Sequence, residues 1–96
     1  MELNYHLAID IGASSGRHIL GHIENGKIVL EEIYRFDNLQ ILKNGHSCWD
    51  IDMLKKSILA GIKKCAEIGK IPQTLGIDTW AVDYVLTDKN GTLLCD

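Results

Sequence analysis

The chain has 96 residues, a formal net charge of −3 and 46% apolar content, enough for one small domain with a modest core. The mildly acidic balance argues against nucleic acid or an anionic membrane as partner, and no apolar run approaches the roughly 20 residues that span a bilayer. The opening Met1-Glu2-Leu3-Asn4-Tyr5-His6 has neither the basic residues nor the apolar core of a signal segment, so the chain reads as cytoplasmic and soluble.

The first strand is expected over residues 6 to 11. Its apolar Leu7, Ala8 and Ile9 run into Asp10, and Gly12-Ala13-Ser14-Ser15-Gly16 then turns the chain. Small residues let backbone N–H groups approach an oxyanion, and the Ser14 and Ser15 hydroxyls add donors. Asp10 is suited to hold a divalent cation directly or through water, as Mg²⁺ prefers. A plain tight hairpin explains the same glycines and serines. A Walker-type loop is excluded, because Gly-Lys-Ser/Thr occurs nowhere. A dinucleotide fingerprint fails because the glycines are wrongly spaced and no helix succeeds the loop.

The loop leads instead into a strand over 17 to 23, the dipeptide Asn25-Gly26, and a strand over 27 to 36. Asn-Gly supplies the positive φ angles of a type I′ hairpin. The third strand alternates imperfectly, with Glu31 and Glu32 beside Ile28, Leu30, Ile33 and Tyr34, which suits an edge or a bulge. His18 and His22 share a strand face but lie roughly 13 Å apart at about 3.3 Å per residue. One ion cannot bridge them, and both read as surface histidines.

Residues 37 to 48 read as polar and irregular, with Asn44-Gly45 as a turn. A helix begins near Asp50, a plausible N-cap, with Asp52 in its first turn. Ile51, Leu54, Ile58, Ile62 and Cys65 form an apolar stripe, and Lys55, Lys56, Lys63, Lys64 and Glu67 form a solvated face. Gly69 serves as C-terminal cap and Pro72 prevents continuation. Cys48, Cys65 and Cys95 are odd in number and widely spaced, so reduced thiols are expected rather than disulfides or zinc.

After Pro72, residues 75 to 80 read as a short buried-type strand with a polar end. Residues 81 to 87 are a further strand candidate, Asp88-Lys89-Asn90-Gly91 a second hairpin turn, and Thr92-Leu93-Leu94 the start of a return strand. Three antiparallel strands, a helix, a strand and a hairpin resemble the opening of the α/β, ribonuclease H-like fold of the actin-like ATPases. Domains of that clan are larger, so residues 1–96 are expected to supply part of one domain. Asp78, Thr79, Trp80 and Asp83 collect two carboxylates, a hydroxyl and an indole at a strand end, where α/β folds bind ligands. An indole beside carboxylates suits a sugar. The plainer reading puts Trp80 in the core and the aspartates in turns.

Asp-Ile-Gly-Ala-Ser-Ser-Gly-Arg at 10–17, Cys-Trp-Asp-Ile-Asp at 48–52 and Gly-Ile-Asp-Thr-Trp-Ala-Val-Asp-Tyr at 76–84 together resemble the N-terminal region of the FGGY carbohydrate kinases, specifically their rhamnulose branch. The likeness extends over essentially the whole chain. It implies ATP-dependent phosphorylation of L-rhamnulose at its 1-hydroxyl in rhamnose catabolism, with ATP and Mg²⁺ as cofactors. Ala13, Ser14, Ser15, Gly16 and Arg17 match the family's ATP-binding segment, and Asp10 the carboxylate near the metal. Ala81 matches a small residue, usually glycine, that meets the sugar through its backbone, with Trp80 and Asp83 in the same pocket. The family's general base is an aspartate far downstream. The resemblance therefore implies that no residue of this chain is catalytic and that the chain alone is inactive. A kinase for another ketose and a non-catalytic interaction module on the same half-fold are the alternatives. Nothing in the sequence speaks to the oligomeric state.

Overall fold

The computed structural model describes residues 4–81 and 86–92. Strand β1 (Tyr5–Ile11) buries Leu7, Ile9 and Ile11 and exposes His6, Ala8 and Asp10, the period of two expected of a strand with one covered face. Strands β2 (Ser15–Glu24) and β3 (Lys27–Asp37) continue it as antiparallel neighbours. Asn25 and Gly26 join them at φ +51° and +76°, the pair of left-handed residues that a type I′ turn requires. β3 lies at the sheet edge. Its pairing steps from His18–Tyr34 to Ile19–Glu32, so Ile33 is an extra residue and the strand carries a bulge. Both features account for its imperfect alternation.

The stretch expected to be irregular is a second hairpin. Strands β4 (Gln40–Lys43) and β5 (His46–Trp49) pair around Asn44 and Gly45, at φ +51° and +78°. The turn is where the sequence placed it, but four-residue strands are too short to show a period.

Helix α1 (Ile51–Glu67) starts as its sequence dictates. The Asp50 carboxylate accepts from the Met53 amide at 3.1 Å. It ends in a Schellman motif, in which the Gly69 amide donates to the Ala66 carbonyl and the Lys70 amide to the Cys65 carbonyl. Gly69 sits at φ +73°, a conformation in which any other residue is strained. Leu54, Ile58, Ile62 and Cys65 press onto Leu7, Ile9, Ile11, Leu20 and Phe36, and this is the core. Each fully buried aliphatic side chain contributes about 1.5–3 kcal/mol relative to exposure. Beyond the helix, Lys70 donates to both Glu31 carboxylate oxygens at 2.9 and 3.0 Å. That pairing holds its ammonium pKa above the usual lysine value.

Strand β6 (Pro72–Asp78) returns parallel to β1, giving a four-stranded sheet in the order β3-β2-β1-β6. Leu75 and Ile77 were expected to be buried, yet they are exposed. β6 is an edge strand, whereas α1 packs towards β3 at the opposite edge. Asp88 closes the next turn by accepting from the Asn90 and Thr92 amides at 2.8 and 3.0 Å, with Gly91 at φ +80°. The strands expected on either side of it fall largely on residues 82–85 and 93–96, outside the described residues.

The surface reading of the histidines is overturned. His18 is fully buried between β2 and α1, with Nε2 donating to the Ile58 carbonyl at 3.0 Å. It is the next residue after Arg17 and so points to the covered face. His22 is largely covered too, edge-on to Tyr5 and bonded to Glu24 at 3.1 Å. Cys48 and Cys65 are free thiols as expected, and Cys95 lies outside the described residues. Among the described residues no helix is long and apolar enough to cross a membrane.

Candidate functional site

The C-terminal ends of β1 and β6 and the start of β2 meet at one end of the sheet. There Asp10 pairs with Arg17 on one side and with Asp78 on the other, and Arg17 pairs in turn with Arg35. Residues opposite one another in register project from the same face. Two guanidinium and two carboxylate side chains thus form one row across four strands. The row lies on the face away from α1, because it alternates with Ile9, Ile11 and His18, which face the helix.

The members of the row differ in what occupies them. Arg35 donates to Glu32 at 2.9 Å through Nε. Arg17 makes no ion pair with a described residue, and its Nε is buried without a hydrogen bond. Asp10 and Asp78 are exposed and make no side-chain hydrogen bond among the described residues. Their oxygens are open to a cation.

Between Asp10 and Arg17 the chain turns through Gly12, Ala13 and Ser14. The Gly12 amide donates to the Ser15 carbonyl at 2.8 Å, and the Asn38 amide donates to the Ser14 carbonyl at 2.9 Å. Ala13 and Ser14 are exposed, and their amides donate to no backbone carbonyl among the described residues. Ser15 and Arg17 are half-buried at the start of β2. The glycines of the loop serve packing more than bending, since neither has a positive φ. A Cβ on Gly16 would overlap the Phe36 ring, and one on Gly12 would press on the Ser15 carbonyl at 3.3 Å.

The second expected constellation is only partly in view. Trp80 is half-buried beside the core, its ring 4.5 Å from that of Trp49 at an interplanar angle of 45°. Ala81 comes next, exposed. Asp83 lies outside the described residues. Trp80 thus partly answers the plainer reading, since it touches the core, while Asp78 belongs to the charged row rather than to a turn. No group of three or more potential metal ligands occurs among the described residues.

Sequence reasoning gives two residues of this region no role in the site. Asn38 is buried and its side chain donates to the Gly12 carbonyl at 2.9 Å. Trp49 joins Trp80 from a hairpin whose strands are too short to detect. The signal for Asn38 was available in principle: the hairpin register carries the end of β3 back beside the loop.

A scan against protein-family models returns no match. Comparison with curated proteins is decisive. Over 90 residues, 94% of its length, the chain is 57% identical to the rhamnulokinase of Oceanobacillus iheyensis. The chain is a relative of the rhamnulokinases. It is 56% identical over 94 residues to the rhamnulokinase of Halalkalibacterium halodurans and 52% identical over 87 residues to that of Bacillus subtilis. It covers 19%, 20% and 18% of these three rhamnulokinases in turn, about a fifth of their length.

Proposed function

We propose that this chain forms the phosphate-binding part of an ATP-dependent sugar kinase that converts L-rhamnulose to L-rhamnulose 1-phosphate, a step of rhamnose catabolism in the cytoplasm. The observation that carries this reading is the place of Asp10, in register between Arg17 and Asp78 and beside the exposed Ala13-Ser14 turn. The identity to rhamnulokinases supports the sugar. The sheet order β3-β2-β1-β6, with three antiparallel strands and a parallel fourth after a helix, supports assignment to the ribonuclease H-like, actin-like ATPase fold of the FGGY kinases. Residues 1–96 are then the first part of the N-terminal domain.

The residues present fit ATP and its metal. The Ala13 and Ser14 amides and the Ser14 and Ser15 hydroxyls would donate to phosphate oxygens, and the Arg17 guanidinium would offset their charge. Asp10, with Asp78 beside it, would hold Mg²⁺ through its open oxygens, directly or by way of water. Bound Mg²⁺-ATP supplies the transferable phosphoryl group and a cation that neutralises its developing charge. Trp80 would cover the apolar face of the sugar and Ala81 would meet it through the backbone, with Asp83 a further candidate for the same pocket. No residue of this chain is assigned as general base. The loop and the strand ends therefore act by positioning, which alone is worth several kcal/mol when the reacting atoms are aligned.

A chimera tests the proposal. The matching segment of the Bacillus subtilis rhamnulokinase is replaced by this chain, and transfer from ATP to L-rhamnulose, L-fuculose and D-xylulose is compared. The expected result is preferential phosphorylation of L-rhamnulose, abolished by Asp10→Asn. A soluble, folded chimera with no kinase activity, or one unaffected by Asp10→Asn, overturns it.

A further inference from the structure

Asn38 comes directly after β3 and is buried although polar. Its amide donates to the Ser14 carbonyl at 2.9 Å, and its side-chain Nδ2 donates to the Gly12 carbonyl, also at 2.9 Å. One residue thus holds the two carbonyls that flank Ala13. In a trans peptide the N–H points opposite to the carbonyl of the same unit, and no peptide among the described residues is cis. Holding the Gly12 carbonyl against Asn38 therefore aims the Ala13 N–H the other way. Both carbonyls would repel an anion, and both are turned inward on the fold. The Gly12 amide is engaged by the Ser15 carbonyl at 2.8 Å, which braces the turn from its other side.

We propose that Asn38 is a positioning residue for polyphosphate: it withholds the Gly12 and Ser14 carbonyls from the anion and presents the Ala13 amide to it. The inference rests on the proposed phosphate-binding role of this loop. A merely structural asparagine would support the fold without altering anion affinity.

The test uses the full 96-residue chain, ¹⁵N-labelled, with inorganic tripolyphosphate and Mg²⁺ as probe. In the wild type, the Ala13 and Ser14 amide resonances shift on titration. Asn38→Asp keeps the shape and the backbone amide but places a carboxylate against the Gly12 carbonyl. Tripolyphosphate affinity should fall roughly tenfold or more at pH 7, from the lost hydrogen bond together with the negative charge set near the anion, and the uncharged Asn38→Ser and Asn38→Ala variants isolate the first of these. Protonation restores a donor at position 38. The ratio of variant to wild-type affinity should therefore recover towards one as the pH is lowered. Circular dichroism checks that the variant is folded; whether or not it is, Asn38→Ser, which keeps a short donor, is compared with Asn38→Ala, and the serine variant should bind more tightly. A folded Asn38→Asp chain that binds as the wild type does at pH 7, or serine and alanine variants of equal affinity, overturns the positioning role alone. A wild type whose loop amides do not respond overturns the phosphate reading and this inference with it.

Discussion

The His18 imidazole occupies the space that a side chain at position 61 would need, so Gly61 is the residue that lets α1 close on β2. Glycine costs a helix interior roughly 1 kcal/mol relative to alanine, so Gly61→Ala would be stabilising if propensity alone decided. The overlap with the ring is larger, since overpacking a close-packed core costs about 1–3 kcal/mol. Gly61→Ala should lower the urea midpoint in the wild type. In a His18→Ala background the obstruction is gone, and the same substitution should be neutral or stabilising. The coupling between the two positions is read from the double-mutant cycle.

His18 also makes stability depend on pH. Burial lowers its pKa below the ordinary 6.5, with the hydrogen bond to the Ile58 carbonyl a smaller opposing effect. The folded chain therefore binds this proton less readily than the unfolded chain. The stability tied to neutral His18 is complete above about pH 6.5. It is lost as the pH falls from there through the lowered folded value, with a slope of up to about 1.4 kcal/mol per pH unit. Urea unfolding at a series of pH values from about 7.5 to about 5.5 should show this decline, and His18→Phe should flatten it. An equally steep decline in His18→Phe would assign the effect to another group.

Gly16 separates packing from function in the loop. A Cβ there overlaps the Phe36 ring, so Gly16→Ala should destabilise the chain by about 1–3 kcal/mol. Phe36→Leu shortens the obstructing side chain and should recover much of that loss when combined with Gly16→Ala. If Gly16 also serves the anion, the double variant should regain stability while its tripolyphosphate affinity stays reduced. Thermal unfolding and the titration of the loop amides read the two quantities separately.

How legible each feature was in the sequence depends on the range of the interaction behind it. The two Asn-Gly turns, the Asp50 cap and the Gly69 terminus are local, because the residues that satisfy the backbone lie within a few positions of one another. The charged row was partly legible: Asp10 and Arg17 stand out beside a loop of small residues, but register alone adds Arg35 and Asp78. His18 looked superficial because its hydrogen-bond partner, the Ile58 carbonyl, is 40 residues away. Asn38 was lost in a polar stretch for the same reason, since Gly12 is 26 residues before it. Leu75 and Ile77 read as buried from composition, which does not reveal that β6 lies at the edge away from the helix.

Cys65 tests whether the helix stays docked. It is buried, its Sγ lies 3.7 Å from the Gly61 carbonyl, and burial raises its thiol pKa above the ordinary value. Both effects suppress thiolate at the surface, where alkylation occurs. Cys65 should react with iodoacetamide at least about tenfold more slowly in native buffer than in urea, at a rate set by local opening of the helix. Mass spectrometry of the modified peptide measures this. Rapid native labelling at Cys65 would show that α1 leaves the sheet readily.

Asp10 carries the last prediction. It is exposed, stands in register between Arg17 and Asp78 and makes no ion pair with a described residue, so its contribution to the fold is small. Asp10→Asn should therefore change the unfolding free energy by less than about 1 kcal/mol. Its effect on the site should be larger and should depend on the metal. On the proposed function, Mg²⁺ should strengthen tripolyphosphate binding in the wild-type chain, because Asp10 would help to hold the cation beside the anion. Without the carboxylate that enhancement should disappear, while metal-free binding rises slightly as one repelling charge is removed. Isothermal titration with and without Mg²⁺ separates the two, and an undiminished Mg²⁺ enhancement in Asp10→Asn would place the cation on other groups.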